Sequence, residues 1–442
     1  MQSPREVDPR LPVVVGLART PIGSLGGALS KTPATKLGSI AIASALARAR
    51  LPAAKVQEVF LGNVLSAGLG QAPARQAALG AGIPPSCPCT TVNKVCSSGL
   101  KAVALAAAQI KLGHVDCAVA GGMESMSLAP FYVDGLRFGR KLGHGALVDG
   151  MQRDGLEDAY SREAMGNCGE RCAVEESISR AAQDTYAKQS YERAKAATAR
   201  QKFASEVVPV ELPPRRGSGG APVFVREDEE CGRMDADKLK RLPRLGPVFK
   251  PFRGRPSSER TVTAGNASTI SDGAAALVVV SLAFARRHGL QPIVALRGWA
   301  DAAQEPELFT TAPALAIPKA LARAGRSIDE VDFFEINEAF SVVALANVKR
   351  LGLDRDRVNV CELSAWAAGS SVVGEEKCTS SVAHRQHHPR RRSSVAWTPP
   401  RMLRCAHPLY VDICLEARGR EARLRRNLQR RRRRFRNGRR DF

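Results

Sequence analysis

The sequence predicts an α/β protein with a mostly parallel sheet, and three observations lead to this class. Between residues 11 and 127, short apolar or β-branched runs alternate with stretches of helical periodicity. Residues 128–255 are richer in charged and loop-forming residues, and strand and helix patterns return over residues 256–360. Such alternation is typical of sheets whose strands are connected by helices. With 442 residues, 44 % of them hydrophobic, the chain can form two or three packed domains.

The elements of the first region follow from local patterns. LPVVVGLA (residues 11–18) and VQEVFLGNVL (56–65) are β-branched or apolar runs bounded by turn residues, which predicts strands. TKLGSIAIASALARARL (35–51) has the apolar spacing of a helix. DCAVAGGMESMS (116–127) predicts a buried strand that runs into a Gly-Gly turn. Together these segments predict the layers of one α/β unit.

The remaining segments set the domain boundaries. We predict a first half from residues 11–127 and 256–284, interrupted by an inserted loop domain at 128–255. Within the insertion, residues 162–197 have the pattern of one long helix, whereas TVTAGNASTISDGAAALVVVS (261–281) has strand–turn–helix character. A second α/β unit spans 290–360 and is truncated, because residues 361–442 have neither helical nor strand periodicity. We expect that aberrant Arg-rich tail to be disordered.

The net charge of +23 is concentrated in the tail. Residues 385–442 contain nineteen arginines, no lysine and four acidic residues, so they carry +15 of that charge. A nucleic-acid partner is therefore a weaker interpretation than the total suggests.

We find no run of about 18 apolar residues, and expect no membrane span. The N-terminus resembles neither a secretory signal nor a typical transit peptide. The eleven cysteines are scattered without metal-ligand spacing, which predicts a reduced, cytoplasmic location and no metal site.

Cys96 is the candidate nucleophile. It comes just before Ser97, Ser98 and Gly99, which open an Ala-rich helical pattern of about four turns. A thiolate there is stabilised by the N–H groups of the first turn and by the helix dipole, and those N–H groups could also hold an oxyanion. The alternative is a buried core cysteine, which is the commonest fate of a free cysteine.

Six motifs resemble those of thiolases, the family that makes or cleaves 3-ketoacyl-CoA. The cysteine lies in NKVCSSGLKAVALAAAQI, which is followed by AGGMESMS. The other four motifs are ARTPIGSLGGAL, GNVLSAGLGQAPARQAAL, TVTAGNASTISDGAAAL and EINEAFSVVALA, and together the six span residues 12–360 in the family's order. The resemblance implies a layered αβαβα fold of two similar mixed-sheet halves with an inserted loop domain. It also implies CoA thioesters as substrates, no metal or redox cofactor, and a homodimer or homotetramer. The Lys-Val before Cys96 and the wording INEAF are more similar to acetoacetyl-CoA thiolases (acetyl-CoA C-acetyltransferases) than to long-chain degradative members.

The resemblance also implies roles for individual residues. Cys96 would accept the acyl group, Asn337 would hold a water that polarises the thioester oxygen, and Glu338 would buttress that turn. Glu338 could instead be a helix-capping acid, and Ser268 a plain helix N-cap. Ala164 stands where many members have a histidine, which leaves substrate positioning less defined. The residues expected at the substrate or CoA are Met165, Leu245, Phe249, Ala264, Gly265, Ser268, Ala339 and Phe340.

Two expected catalytic groups are missing from the written sequence. The family uses a histidine in a GHP motif and a second cysteine in a CNGGG-like motif, and neither motif is present. A one-base shift of the codons for AWTPPRML permits Leu-Gly-His-Pro-Pro-Gly-Cys, and the same shift over RNLQRRRRRFRNGRRD permits a CNGGGGASAM sequence. The hidden histidine begins in Thr398 and the hidden cysteine in Leu428. We therefore hypothesise that residues 361 to about 386 are translated intron or another insertion that shifts the frame.

Three alternatives to the acetoacetyl-CoA interpretation stay open. A thiolase of broader chain length would share every motif. A decarboxylating ketoacyl synthase or hydroxymethylglutaryl-type synthase shares the cysteine–helix arrangement, although INEAF and TAGNAS favour thiolase. The third alternative is a catalytically impaired thiolase fold whose Arg-rich tail binds nucleic acid. A mitochondrial or peroxisomal location is the alternative to the cytoplasm.

Overall fold

The computed structural model describes residues 8–214, 221–233, 236–252 and 256–360. Its strands are β1 (Pro12–Arg19), β2 (Gly23–Ser24), β3 (Glu58–Gly62), β4 (Cys89–Val92), β5 (Cys117–Ser125), β6 (Phe131–Tyr132), β7 (Val148–Asp149), β8 (Val210–Leu212), β9 (Val223–Val225), β10 (Ser271–Ser281) and β11 (Val294–Ala295). Its α-helices are α1 (Ala34–Ala49), α2 (Pro73–Gly80), α3 (Ser98–Leu112), α4 (Met165–Glu175), α5 (Arg180–Ala199), α6 (Glu229–Arg233), α7 (Ala236–Arg241), α8 (Leu282–Arg287), α9 (Ala312–Ala324) and α10 (Ser341–Leu351).

A seven-stranded mixed sheet organises the first half. Its order is β11-β1-β10-β5-β3-β4, with β2 paired to β10. The β3–β4 and β3–β5 pairs are parallel, whereas β10 runs antiparallel to both β1 and β5. The α/β class is confirmed, but the expectation of a mostly parallel sheet is wrong. The reason is β10, which follows the long insertion and enters between β1 and β5 in the opposite direction.

Helices cover both faces of this sheet. Val13 and Val15 of β1 belong to the core that contains α1 and α2, whereas Val14 belongs to the core that contains α3. Successive strand residues point to opposite faces, so one apolar run fills both cores. Small residues allow close layers: a Cβ added to Gly62 of β3 would lie 2.6 Å from the backbone nitrogen of Gly99 in α3.

Two strands extend further than the sequence predicted. DCAVAGGMESMS does not turn at its glycines, because β5 continues through Gly121 and Gly122 to Ser125. A Cβ on Gly121 would overlap the carbonyl of Ala275, so this glycine permits close strand approach. SDGAAALVVVS forms one fully buried strand, β10, and contains no helix. Its alanines imitate a helical pattern because the strand is buried on both faces.

The helical pattern of residues 162–197 is divided into α4 and α5. The chain turns at Ser177, whose φ is +54°, and the Ser179 side chain accepts a hydrogen bond from the Ala182 N–H at the start of α5. The prediction of a single helix was therefore wrong. Two short antiparallel pairs, β6–β7 and β8–β9, accompany these helices within the inserted region.

The second half has a smaller share of regular structure among the described residues. Its first strand, β11, pairs with β1 at the edge of the first sheet, so residue 290 does not separate two sheets. The rest includes α9, α10, three short 3₁₀ helices and a parallel bridge between Phe334 and Val358, and within the described ranges no second large sheet is formed. The predicted tail at 361–442 lies outside the described residues.

One helix in the described part of the chain is long and apolar enough to cross a membrane by composition alone. It is the segment Val95–Leu112, which contains α3. The sequence-based expectation concerned uninterrupted apolar runs, and this segment contains two lysines. Ala102, Ala106 and Ile110 of this helix are fully buried in the core that includes residues of β3, β5 and β10, so its apolar face belongs to the protein interior.

Candidate active site

Cys96 lies in the short loop between β4 and α3, one residue before the helix N-cap Ser97. The loop is fixed by the Ser98 hydroxyl, which accepts a hydrogen bond from the Lys94 N–H (2.8 Å) and donates one to the Val95 carbonyl (2.5 Å). Val95 has a φ of +49°, a conformation that is costly for a β-branched residue. This backbone turn places Cys96 at the positive end of α3.

Five of the other six described cysteines are buried, and the sixth, Cys89, is partly buried like Cys96 but has its pKa raised by burial. Cys87, Cys117, Cys168, Cys172 and Cys231 are buried, whereas Cys96 is only partly buried. Burial raises the pKa of the Cys87 and Cys168 thiols to about 11 and that of Cys117 to about 12. A thiol with such a pKa is almost entirely protonated near neutral pH, and is a poor nucleophile. Partial exposure thus distinguishes Cys96 from the core cysteines.

An ion-pair cluster connects the Cys96 loop with the second half. Lys94 pairs with Asp301, and Lys101 of α3 binds the other oxygen of the same carboxylate at 2.7 Å. These lysines lower the pKa of Asp301 against the opposing effect of burial. No sequence pattern indicated this contact, because Asp301 lies outside all six motifs and two hundred residues from Lys101.

A buried carboxyl group, Glu124, lies near the end of β5. It accepts hydrogen bonds from the Asn63 side chain (2.9 Å) and from the N–H groups of Val64 (2.8 Å) and Leu65 (3.1 Å). Burial raises the pKa of Glu124 to about 7, and these backbone N–H groups oppose the rise. The sequence interpretation missed this residue, although it stands in the AGGMESMS motif.

The TAGNAS and NEAF motifs meet in the structure. The Ser268 N–H donates to the Ala339 carbonyl (2.9 Å), the Ser341 N–H donates to the Asn266 carbonyl (2.8 Å), and Ala267 forms a β-bridge with Phe340. Ser268 is followed by β10, so the alternative that it caps a helix is wrong. Two motifs that are about seventy residues apart in sequence therefore pair through their backbones.

Glu338 is buried beneath the NEAF turn. Its oxygens accept hydrogen bonds from the Tyr186 hydroxyl (2.5 Å), the Ser190 hydroxyl (2.9 Å) and the Asn359 side chain (2.8 Å). The alternative that Glu338 caps a helix is wrong, because α10 begins at Ser341 with Phe340 at its N-cap and no side-chain capping bond. Asn337 beside it is 6 % exposed.

Several residues expected at the CoA substrate lie together. The rings of Phe249 and Phe340 are 5.9 Å apart in an edge-on arrangement. Gly166, next to Met165, leaves room for the Phe249 ring, since a Cβ there would overlap it. Gly265, which follows Ala264, lies so close to the side chains of Leu242 and Leu245 that a Cβ would come within 2.7 Å of Leu245.

These contacts join the expected CoA residues into one group around Phe249, Gly265 and Phe340. The meeting of Cys96 with Asn337 stays a prediction. Among the described residues, no group of three His, Cys, Asp or Glu side chains could hold a metal ion.

Histidines of the matched region lie in unrelated settings. His114 contacts Gln109 near the C-terminal end of α3, and His288 packs on Phe284 with ring centroids 4.2 Å apart. The hidden-frame histidine and cysteine fall in residues 361–442, outside the described ranges.

The fold and the site together define a class: a mixed α/β protein with a partly buried cysteine at the start of a core helix and two paired loops in front of α10. Comparison with known proteins makes the class specific. The family model "Thiolase, N-terminal domain" matches residues 12–283, and "Thiolase, C-terminal domain" matches residues 290–369. The chain belongs to the thiolase family.

Individual relatives agree with this assignment. An acetyl-CoA acetyltransferase of Arabidopsis thaliana is 58 % identical over 353 residues, which are 80 % of this chain and 82 % of the relative. A cytosolic acetyl-CoA acetyltransferase of Gibberella zeae is 51 % identical over 347 residues, which are 78 % of this chain and 84 % of the relative. The crystal structure of a thiolase from Ascaris suum in complex with coenzyme A has a TM-score of 0.74 and 41 % identity, covering 81 % of this chain and 88 % of that one.

Proposed function

We propose that this chain is an acetyl-CoA C-acetyltransferase, which interconverts two acetyl-CoA with acetoacetyl-CoA and CoA. The observation that carries the proposal is the setting of Cys96, a partly buried thiol at the N-terminus of α3 in a loop fixed by Ser98. The names of the relatives supply the substrate, and the Ascaris suum structure supports CoA binding.

The first half-reaction is acyl transfer to Cys96. The Sγ thiolate attacks the carbonyl carbon of acetyl-CoA, the new C–S bond forms, and the C–S bond to CoA breaks as CoA leaves. The Ser97 and Ser98 N–H groups already donate to the Lys94 and Val95 carbonyls at 3.1 Å. The oxyanion would therefore be held by N–H groups further into the first turn of α3, where a helix has no preceding turn to supply acceptors. Asn337 would polarise the thioester oxygen through a water, and Glu338 would keep Asn337 in place. The reaction requires no metal and no redox cofactor.

The second half-reaction forms the carbon–carbon bond. A second acetyl-CoA loses an α-proton to a base, its carbanion attacks the acetyl group on Cys96, and acetoacetyl-CoA leaves as the Cys96 thiolate is restored. The family's base is the C-terminal cysteine, and its activating histidine lies in the GHP motif. Because the written sequence lacks both motifs, we propose that the polypeptide with the Arg-rich tail acetylates Cys96 slowly and does not complete the condensation. The full interconversion is proposed for the protein whose C-terminus is read in the other frame.

The deciding experiment uses mass spectrometry and a thiolysis assay on two proteins. One is the chain as written, and the other is translated from the resequenced transcript. We expect acetyl-CoA to add one acetyl group to the Cys96 peptide of both proteins, and acetoacetyl-CoA plus CoA to be cleaved only by the second. Cys96→Ser is the control. Absence of acetyl-Cys96 from both proteins would refute the function, and a transcript that encodes the Arg-rich tail would refute the frame shift.

Finer properties are further proposals. We propose a homodimer or homotetramer, which light scattering would test, and a cytoplasmic location, which is supported by the cytosolic relative of Gibberella zeae. Recovery of a tagged chain in mitochondria or peroxisomes would contradict the location. Faster thiolysis of long-chain 3-ketoacyl-CoA than of acetoacetyl-CoA would favour the broader thiolase. Decarboxylative condensation of malonyl-CoA would favour a ketoacyl synthase.

A further inference from the structure

An ion pair on α5 lies behind the expected CoA residues. The Arg180 Nε binds one carboxylate oxygen of Asp184 at 2.8 Å, one helical turn away. The Asp184 side chain is 8 % exposed and that of Arg180 is 23 % exposed, so the pair is largely shielded from water. Shielded charge-assisted bonds of this kind are stronger and geometrically stricter than surface pairs.

The arginine end of the pair reaches the segment that contains Leu245. The Arg180 terminal nitrogen donates to the Leu242 carbonyl (2.7 Å) and to the Leu245 carbonyl (3.0 Å). Both carbonyls belong to one turn, because the Leu245 N–H donates to the Leu242 carbonyl at 3.1 Å. A planar guanidinium can make these bonds and the Asp184 bond at once, which the ammonium group of a lysine cannot.

The aspartate end of the pair reaches the TAGNAS loop. The second oxygen of Asp184 accepts a hydrogen bond from the Asn266 side chain at 3.0 Å. Asn266 in turn accepts the Thr263 N–H through its side-chain oxygen (2.8 Å) and the Ser341 N–H through its carbonyl (2.8 Å). Asp184 therefore anchors the loop, together with the Thr261 carbonyl, which accepts from the same Asn266 amide at 3.0 Å, and through Asn266 it anchors the junction with α10.

The two held segments contact each other through Gly265. Its Cα lies against Leu242 and Leu245, with no room for a Cβ. The pair thus holds both stretches of backbone from the side of α5. Lys188 and Glu192, also four residues apart on α5, form a 3.8 Å pair whose side chains are more than half exposed, and they provide a matched control.

We propose that Arg180 and Asp184 are positioning residues for the CoA thioester. They hold residues 242–245 and residues 263–268 at the separation that the pantetheine arm requires. The inference rests on the proposed function, because it is that function which makes these two segments the walls of the CoA site.

The test compares full-length Asp184→Asn and Arg180→Lys with the matched control Glu192→Gln. Calorimetric CoA binding, Cys96 alkylation by iodoacetamide with and without CoA, and the melting temperature are measured. In Asp184→Asn the new amide NH₂ must face either the Arg180 or the Asn266 donor, so one of the two bonds is lost. Because one held segment is then released, we expect CoA binding to weaken at least about tenfold. We expect Arg180→Lys to show a loss in the same direction, and the control to bind like the wild type. Alkylation without CoA should stay within about twofold of the wild-type rate, while protection requires correspondingly more CoA.

The outcomes separate this inference from the proposed function. Asp184→Asn with wild-type CoA affinity, or with alkylation slowed in parallel with binding, overturns the positioning role. A lower melting temperature with unchanged CoA affinity would make the pair a structural brace only, and also overturns it. If the wild type binds CoA but forms no acetyl-Cys96, the function fails while weakened CoA binding by the variant still supports the inference. A wild type that binds no CoA overturns both.

Discussion

Replacing Glu124 with glutamine should change how stability depends on pH. In the folded protein burial raises the pKa of Glu124 to about 7 from an ordinary value of 4.5. The folded carboxyl therefore keeps its proton up to about pH 7, whereas the unfolded carboxyl releases it near pH 4.5. Between these values the unfolded state binds fewer protons, so the free energy of unfolding falls as pH rises.

The size of the effect follows from the pKa difference. A shift of this size corresponds to roughly 3 kcal/mol. This contribution is fully present below pH 4.5 and is lost as pH rises through about 7. Glu124→Gln has no titrating group at this position, so the wild type should lose about 3 kcal/mol relative to the variant over this interval. Asp272, which raises the pKa of Glu124 through its negative charge, remains in both proteins.

The assay is urea unfolding followed by far-ultraviolet circular dichroism at a series of pH values. The wild type is compared with Glu124→Gln and with Glu192→Gln, a glutamate whose side chain is 54 % exposed on α5. Only the difference in the free energy of unfolding between the wild type and Glu124→Gln should change across this pH interval. If the wild type and Glu124→Gln keep a difference constant to within about 1 kcal/mol across the interval, Glu124 does not carry the proton and the reasoning fails.

Three further predictions concern the same region. Glu338→Ala removes the acceptor of three buried donors, and should lower the free energy of unfolding in urea by about 3 kcal/mol or more; a loss below about 1 kcal/mol would contradict this. Asp301→Asn breaks two half-exposed ion pairs, and should cost less than about 1 kcal/mol, with a difference that shrinks in high salt; a salt-independent loss would argue against it. Gly62→Ala pushes a Cβ onto the backbone of Gly99 and should slow iodoacetamide alkylation of Cys96 at least about tenfold. An unchanged rate would show that the Cys96 loop does not depend on the packing of β3 against α3.

The sequence was informative where a pattern repeats locally. The strand at 11–18, the helix after residue 34 and the helix after Cys96 all follow from runs of apolar residues with a clear period. β10 was misread because a strand buried on both faces has no alternation, and its alanines are compatible with a helix. Strand direction was also beyond a local pattern, since it depends on where the chain returns after the insertion.

In the candidate site, too, local patterns could be predicted from the sequence and long-range contacts could not. Cys96 could be proposed from its position before a helical pattern, and the family motifs supplied Asn337 and Ser268. The bonds from Asp301 to Lys101 and from Asp184 to Asn266 could not be predicted, because each joins residues more than eighty positions apart in sequence. Helix capping was the local explanation for Ser268, and it failed because the segment that follows is the strand β10 and not a helix.

The central position of β10 has a consequence for synthesis of the chain on the ribosome. β1 ends at Arg19, and the neighbour that separates it from β5 ends at Ser281. At about 5–20 residues per second, an interval on the order of ten to fifty seconds passes between the emergence of the two strands. During that interval the edges of β1 and β5 are open to pairing with other chains. We therefore expect the nascent chain to depend on chaperones until residue 281 has left the exit tunnel.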